Sequence, residues 1–397
     1  MIEYLIPLFI GIFFGIITGL TPGIHTNLVS ATLVASLALF SNIPTSSLII
    51  FIVALAVTNT FVDFIPSIYL GAPEEDTALS TMPGHQMLMY GDGHKAVVLT
   101  LIGGVIAVFS LIIITPLFIL LIPKIYPFIE RMMGWFLIII SILLILNEKN
   151  SKVGATIIFI LSGFLGIASL NSSVEEPLLP LLTGLFGSST LIYSIKSKTI
   201  IPEQMINKIK INKKELIKPT ITTMIVSPIC SFLPGLGSSQ AAIIGSQITK
   251  NQTREQFLIL LGSINTLVVS VSFITLFLIQ KARTGAASAI SQVTILSNQD
   301  VIIMILTIIL TTIIVFPISI WMSKIFAKNI NKIDYTKISF VTLIFITIIT
   351  FYFAGIFGIL IFITSTILGL TCIELNIRKG FLMGCLLIPT ILFYLPF

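Results

Sequence analysis

The chain carries one set of sequence marks twice. Pro22-Gly23-Ile24 in GLTPGIHTN recurs as Pro234-Gly235-Leu236 in FLPGLGSSQ, and Asn59-Thr60 in VTNTFVDFI recurs as Asn265-Thr266 in SINTLVVSVSFI. Apolar blocks starting near residues 96, 134, 153 and 177 return near 300, 338, 358 and 381, a shift of 204 to 206. In an apolar chain such a repeat points to a transporter built from two halves, with its site at their interface. With 56% hydrophobic and 10% charged residues, the blocks are apolar all round rather than striped, as lipid-buried helices are. The longest polar stretches, about 71–95 and 194–218, are too short to bury a core of their own. The fold class that follows is an all-α polytopic membrane protein.

Ten full crossings are expected, at about 47–70, 96–122, 134–147, 153–170 and 177–193, then 255–279, 300–322, 338–353, 358–373 and 381–396. Two further stretches, 4–40 and 219–250, are each cut in the middle by a Pro-Gly pair. Each is either two short crossings or a re-entrant hairpin, and both options have the same parity. Placing loop 194–218 in the cytoplasm leaves only Lys124, Arg131, Lys281 and Arg283 outside, with the other 18 of the 22 Lys and Arg inside. Residues 1–195 then form a first repeat, 196–218 a basic cytoplasmic linker and 219–397 a second repeat. Each repeat makes an odd number of crossings, so the second is inverted and both termini face outward. The apolar start lacks a basic leader and a cleavage site and carries Glu3, so it reads as retained. The lysines follow the membrane sides, and no nucleic-acid partner is expected.

Chemistry in a bilayer is sought where polar groups and broken helices coincide. The first Pro22-Gly23 tip is flanked by Thr21, Thr26 and Asn27. The second, Pro234-Gly235, is flanked by Ser231, Gly237, Ser238, Ser239 and Gln240. Unwound helix ends there would offer N–H groups to an anion and carbonyls to a cation. Asp63, well inside the 47–70 span and four residues after Asn59, is a functional candidate by its depth, as a Na+ ligand or a proton carrier. Its twin, Val269, is not acidic, so a coupling site of Asn59, Asp63 and Asn265 is asymmetric. Pro66 follows closely enough to free a carbonyl beside it. Arg283, with Lys281, Thr284 and Gly285, is placed to hold an anion near the outer entrance or to snorkel at a span end.

Other chemistries have little to stand on. Glu74, Glu75, Asp76, His85, Asp92 and His94 lie in one loop without metal-ligand spacing, so neither a metal nor a cofactor is expected. The single cysteines Cys230, Cys372 and Cys385 sit in apolar segments as packing residues. No nucleophile and base are spaced for catalysis, which argues against an enzyme.

GIITGLTPG, the loop GAPEEDTALSTMPGHQM with its following GDGHKA, and the second FLPGLGSSQ together resemble the large membrane subunit of the tripartite tricarboxylate transporters, the TctA-type permeases. The shorter archaeal branch is the most similar. The motifs cover roughly residues 10–105 and 219–290. The resemblance implies an ion-coupled carrier in the cytoplasmic membrane of a prokaryote. Such carriers import carboxylates handed over by an extracytoplasmic binding protein and assisted by a small membrane subunit. It also implies hairpin tips at Pro22, Gly23, Pro234, Gly235 and Gly237 and a signature loop from Ala72-Pro73 to Gly84. The chain departs from the family pattern at His25, where the first tip usually has glycine, and at Gly71-Ala-Pro-Glu, where the loop usually reads PGTP. The expected mechanism is alternating access. An anion is held by Thr21, Pro22, Gly23, His25, Thr26, Asn27, Pro234, Gly235, Gly237, Ser238, Ser239 and Arg283, and the cation lies near Asn59, Asp63 and Asn265. The alternative is a translocase for a polyprenyl-phosphate-like lipid.

Overall fold

In the computed structural model of this chain, the described residues are 2–21, 43–71, 77, 79, 81–146, 148, 151–174, 177–196, 201–206, 212–231, 237–249, 252–330 and 335–395. Every regular element among them is helical. Lipid leaves backbone N–H and C=O groups no partner but each other, and a helix satisfies them within one segment. The first half contains α1 (Ile2–Leu20), α2 (Thr45–Val62), α3 (Phe64–Tyr69), α4 (Thr81–Met89), α5 (Gly93–Leu146), α6 (Lys152–Leu170), α7 (Leu178–Leu182) and, after a π-helical turn at Thr183–Ser188, α8 (Ser189–Lys196). The second contains α9 (Lys213–Ser231), α10 (Ser238–Ile248), α11 (Arg254–Ile279), α12 (Gly285–Val293), α13 (Asn298–Asn329), α14 (Tyr335–Glu374), a 3₁₀ turn at Lys379–Met383 and α15 (Gly384–Tyr394).

Among the described residues, six helical segments are long and apolar enough to cross a membrane, and four shorter apolar segments accompany them, one of which, Arg131–Leu146, is the second part of α5. The expected spans 338–353 and 358–373 join in α14, which bends at Gly355. There φ is +62° and ψ is −162°, a conformation that glycine alone adopts without strain. The expected loop at 123–133 is helical throughout and lies within α5. Pro116, Pro123 and Pro127 interrupt the sequence pattern without ending the helix, because their missing N–H groups cost less than a stretch of unpaired backbone. A straight helix of that length would run ~80 Å, against a hydrocarbon core of ~30 Å. The contacts of α5 show how it is accommodated. His94 near its start meets Ser323, Glu148 just past its end meets Arg378, and Tyr126 and Gly134 in its middle meet Arg283 and Tyr394.

Those contacts belong to a wider partition. Lys95 pairs with Glu255, Lys196 with Glu374 and Arg378 with Glu148, while Gly93 N–H and Met205 N–H tie the α4–α5 junction to Gln204 and Gly91. Tyr126, Lys281 and Arg283 form a separate group. These are the same two groups of loops that the lysine and arginine count separates.

Two helices form the centre. Along the strongest apolar windows, α2 with α3 is 94% buried and α11 is 89% buried, against 28–39% for the other four long helices, whose outer faces carry Phe128, Trp321 and Tyr352. Each central helix is lined by the first arm of its own half's hairpin. Gly11, Gly15 and Gly19 of α1 leave room for Phe51, Thr58 and Val62 of α2. In the second half, Thr223 bonds Ser263 at 2.7 Å, and Ser231 donates to the Val268 carbonyl at 3.1 Å. The halves then exchange partners: α5 packs on α11 while α13 packs on α2, and α6 packs on α15 while α14 packs on α7, the π turn and α8.

The second hairpin closes on itself. The Thr222 and Thr249 hydroxyls lie 2.6 Å apart, so α10 returns along α9. At 11 residues, α10 spans ~16 Å and is too short to cross. Of the first hairpin, α1 and Thr21 are described, and residues 22–42 lie outside the described residues.

At the α5–α11 crossing a Cβ on Gly262 would stand 2.0 Å from the Thr100 carbonyl oxygen, whereas one on Gly380 would meet open space. Gly262→Ala is expected to lower stability by about 1–3 kcal/mol as the helices are forced apart, and Gly380→Ala to change it little. Melting of both variants in detergent measures the difference.

Candidate functional site

The polar residues of α2 and α11 meet where these two central helices cross. Asp63 sits at the break between α2 and α3, with φ −60° and ψ −24°, and is 2% exposed. Pro66 has no N–H to give the Val62 carbonyl, which loosens the helix at this point. Asn265 of the other half, 1% exposed, donates through Nδ2 to Asp63 Oδ2 at 2.9 Å. Its Oδ1 is buried with no hydrogen-bond partner among the described residues. One residue further on, the Thr60 and Thr266 hydroxyls are 3.1 Å apart. Thr60 and Thr266 are counterparts in the repeat, and a residue meeting its own counterpart is what a local two-fold axis requires.

The first arm of each hairpin ends beside this crossing. A Cβ on Gly19 would approach Val62 and the Asp63 backbone N, and Thr18 accepts a hydrogen bond from Asn59 Nδ2 at 3.3 Å. Ser231 ends α9 against Val268, the counterpart of Val62. Around Asp63 are therefore gathered the Asn265 amide, the Thr18, Thr60 and Thr266 hydroxyls nearby on α1, α2 and α11, and the end of α1. Such a set can hold a desolvated cation through oxygen ligands, or hold a proton on Asp63.

Thr21 is the last described residue of the first tip, its N–H bonded to the Ile17 and Thr18 carbonyls. Pro22, Gly23, His25, Thr26, Asn27, Pro234 and Gly235, expected at the anion site, lie outside the described residues, as do Glu74, Glu75 and Asp76 of the loop. Gly237, Ser238 and Ser239 open α10, with Ser238 and Ser239 buried and Gly237 N–H donating to Gln240 Oε1 at 2.8 Å. Asp63 and Asn265 meet through that hydrogen bond, whereas Asn59, one turn before Asp63, gives its side-chain amide to Thr18. Arg283 stands apart from them: Nη2 donates to the Tyr126 hydroxyl at 2.6 Å, and Lys281 Nζ donates to the same oxygen at 3.2 Å. Thr18, Thr60, Thr266 and Gln240 were not among the expected site residues. Thr60 and Thr266 carried a usable signal, because they stand beside Asn59 and Asn265 in both copies of the repeat.

On the opposite side, Tyr69 donates to the Ser323 carbonyl at 3.1 Å, and the Ser323 hydroxyl lies 2.9 Å from His94 Nδ1. All three are buried, and they join α3 and α5 of one half to α13 of the other. Like Tyr126 with its two cations, this is a polar contact between the halves away from the central crossing. No group of three potential metal-ligating side chains occurs among the described residues, and the three cysteines there are buried and form no disulfide with one another.

Over residues 5–384 the chain matches the family described as Tripartite tricarboxylate transporter TctA family. It is 29% identical over 292 residues to an uncharacterized protein of Methanocaldococcus jannaschii, covering 72% of each chain. No solved structure matches it.

The Asp63–Asn265 contact is testable by itself. Asn265→Leu takes a hydrogen-bond donor away from a buried carboxylate, with an expected loss of about 2–4 kcal/mol. Asp63→Leu combined with Asn265→Leu is expected to recover part of that loss. Melting the two single variants and the double variant gives the coupling, and purely additive losses would mean that the contact does not hold the halves together.

Proposed function

Because the chain belongs to the tripartite tricarboxylate transporter TctA family, we propose that it is a secondary active transporter moving a small organic anion, a carboxylate, across the cell membrane by ion-coupled alternating access. The observation that carries this reading is the Asp63–Asn265 pair, a carboxylate buried where the two halves cross and hydrogen-bonded from the opposite half. An ionisable group at that depth is kept for a purpose, since the bilayer penalises its charge. Cation binding there would relieve the penalty, and Asp63, the free Oδ1 of Asn265, and Asn59 form the coupling site for Na+ or H+.

The anion sits between the two hairpin tips. Thr21, Pro22, Gly23, His25, Thr26 and Asn27 contribute from the first, and Pro234, Gly235, Gly237, Ser238 and Ser239 from the second. Helix termini, hydroxyls and amides replace the hydration of the carboxylate. The short α10, which cannot cross, supports a re-entrant hairpin whose tip ends within the membrane. The repeats are inverted about the axis through Thr60 and Thr266, with the linker in the cytoplasm and both termini outside. The Tyr126–Arg283 contact closes the outer end and the Tyr69–Ser323–His94 contact closes the inner end, so alternating access opens one at a time. Arg283 thereby recruits the anion when the outer contact opens. The family description supports partner subunits, here a small membrane subunit and an extracytoplasmic binding protein. The family match lends no support to the lipid-carrier alternative.

Uptake of labelled citrate and succinate into proteoliposomes, driven by an imposed Na+ or H+ gradient, tests the reading. Asp63→Asn is expected to remove at least nine-tenths of gradient-driven uptake. If uptake by Asp63→Asn kept its dependence on the gradient, coupling through Asp63 would be excluded.

A further inference from the structure

Among the described residues, Lys379 is the buried lysine, and the transport cycle above does not use its surroundings. It opens the 3₁₀ turn between α14 and α15, in the link between two spans, and is 7% exposed. Its Nζ donates to the Thr190 hydroxyl of α8, so the contact joins the second half to the first. Among the described residues its other electrostatic neighbours are the His85 imidazole of α4 and the Cys372 thiol of α14. The neighbouring carboxylates are committed elsewhere: Glu148 pairs with Arg378 at 3.5 Å and Glu374 with Lys196 at 3.4 Å.

An ammonium group taken out of water with a hydroxyl for company is under-compensated, and a bound anion is the direct remedy. Burial pushes the Lys379 amine down to about 8, and burial followed by the Lys379 charge pushes His85 below its ordinary value. Position ties this place to the central crossing. A Cβ on Gly84 would press on the Ile68 side chain, and Ile68 follows Asp63 by little more than one helical turn on α3. Ile68, Gly84 and His85 of α4, and Lys379 are thus successive neighbours on the way from Asp63 to the loop group that holds the linker.

We propose that Lys379, with Thr190 and His85 around it, is the site on which the carboxylate of the transported anion rests as it leaves toward the cytoplasm. This rests on the carboxylate-carrier reading above. The ammonium supplies the charge, the Thr190 hydroxyl orients it, and the same charge can be given up again because it is already costly to bury. When the anion departs, the amine returns to its under-compensated state, which favours resetting of the carrier.

The test is melting of the full-length purified protein at pH 7 with increasing succinate, citrate or inorganic phosphate, in wild type, Lys379→Met and Lys379→Arg. Without anion, Lys379→Met is expected to melt above wild type, because an unpaired buried charge has been removed. Its gain with succinate or citrate is expected to be at most half that of wild type, whereas Lys379→Arg keeps the gain. In wild type the Lys379-dependent part of the gain should fade as pH rises through about 8, where the amine loses its proton. A second arm uses proteoliposomes of known sidedness. Lys379→Met is expected to raise the apparent KM for carboxylate presented from the cytoplasmic side about tenfold and to leave the outer-side KM unchanged.

If Lys379→Met melts below wild type without anion, the lysine is a structural latch to Thr190 and the proposal fails. Equal anion gains in Lys379→Met and wild type overturn it as well. A gain with phosphate alone, lost in Lys379→Met, overturns the carboxylate assignment. If wild type gains with carboxylates through Lys379 yet moves none in either direction, the carrier reading fails while the anion site stands.

Discussion

A carboxylate that water cannot reach has to be held by the protein itself, and Asp63 is held from both halves of this chain. Its own helix loosens at Pro66 to present it, and Asn265 reaches across from the other half to bond it. Both donors and acceptors lie on α2 and α11, the two most buried helices, so the rest of the bundle is arranged around keeping those two in contact. The hydroxyl pair Thr60–Thr266 fixes their register one residue away. A slide of either helix by one residue would break both contacts at once.

Close approach of helices is what makes this possible, and small residues supply it. In lipid there is no hydrophobic force between helices, so association depends on packing and interhelical hydrogen bonds. The two halves meet this requirement with different chemistry at equivalent places. On α1 the residues facing α2 are Gly11, Gly15 and Gly19. On α9 those facing α11 are Thr223, Ser227 and Ser231, displaced by the same 212 positions that separate Pro22 from Pro234. Glycine permits backbone contact, whereas serine and threonine keep the helices slightly apart and bond across the gap. The same device serves the exchange of partners between halves, where Gly262 lies against Thr100 and Gly166 against the Cys385 backbone.

Polar residues inside long apolar runs were the legible part. Asn59, Asp63 and Asn265 stood out because polar groups are costly inside a membrane helix, and of the three Asp63 and Asn265 are hydrogen-bonded to each other while Asn59 bonds Thr18. The bend in α14 was also legible, as a break between two apolar blocks that falls at Gly355. The small-residue stripe was hidden because its two copies share spacing but no residue identity, and glycine and serine are ordinary in membrane helices. Residues 123–133 misled for the opposite reason. Pro123, Lys124, Pro127 and Arg131 spell a loop by composition, but the helix continues because an α-helix tolerates proline when the alternative is unpaired backbone. Arg283 stood out as a charge in a loop that the lysine and arginine count leaves nearly empty of cations, and its tie to Tyr126, 157 residues earlier in the chain, is one that no local pattern announces.

If the chain couples an ion to an anion as proposed, the asymmetry of the repeat decides where the ion acts. The contact of Asp63 with Asn265 has a counterpart position, Val269 with Asn59, where no carboxylate exists and Asn59 bonds Thr18 instead. Charge is therefore concentrated on one side of the local axis. Under the proposed coupling, a cation bound there would pull on α2 and the end of α1 together, because Gly19 lets α1 press against the Asp63 backbone. The counterpart end of α9 is held to α11 by the Ser231–Val268 hydrogen bond, with no ionisable group to respond. A symmetric scaffold with one charged member can so move one hairpin relative to a fixed partner. That difference, rather than the symmetry itself, is what would let ion binding at the crossing change the shape of an anion site between the tips.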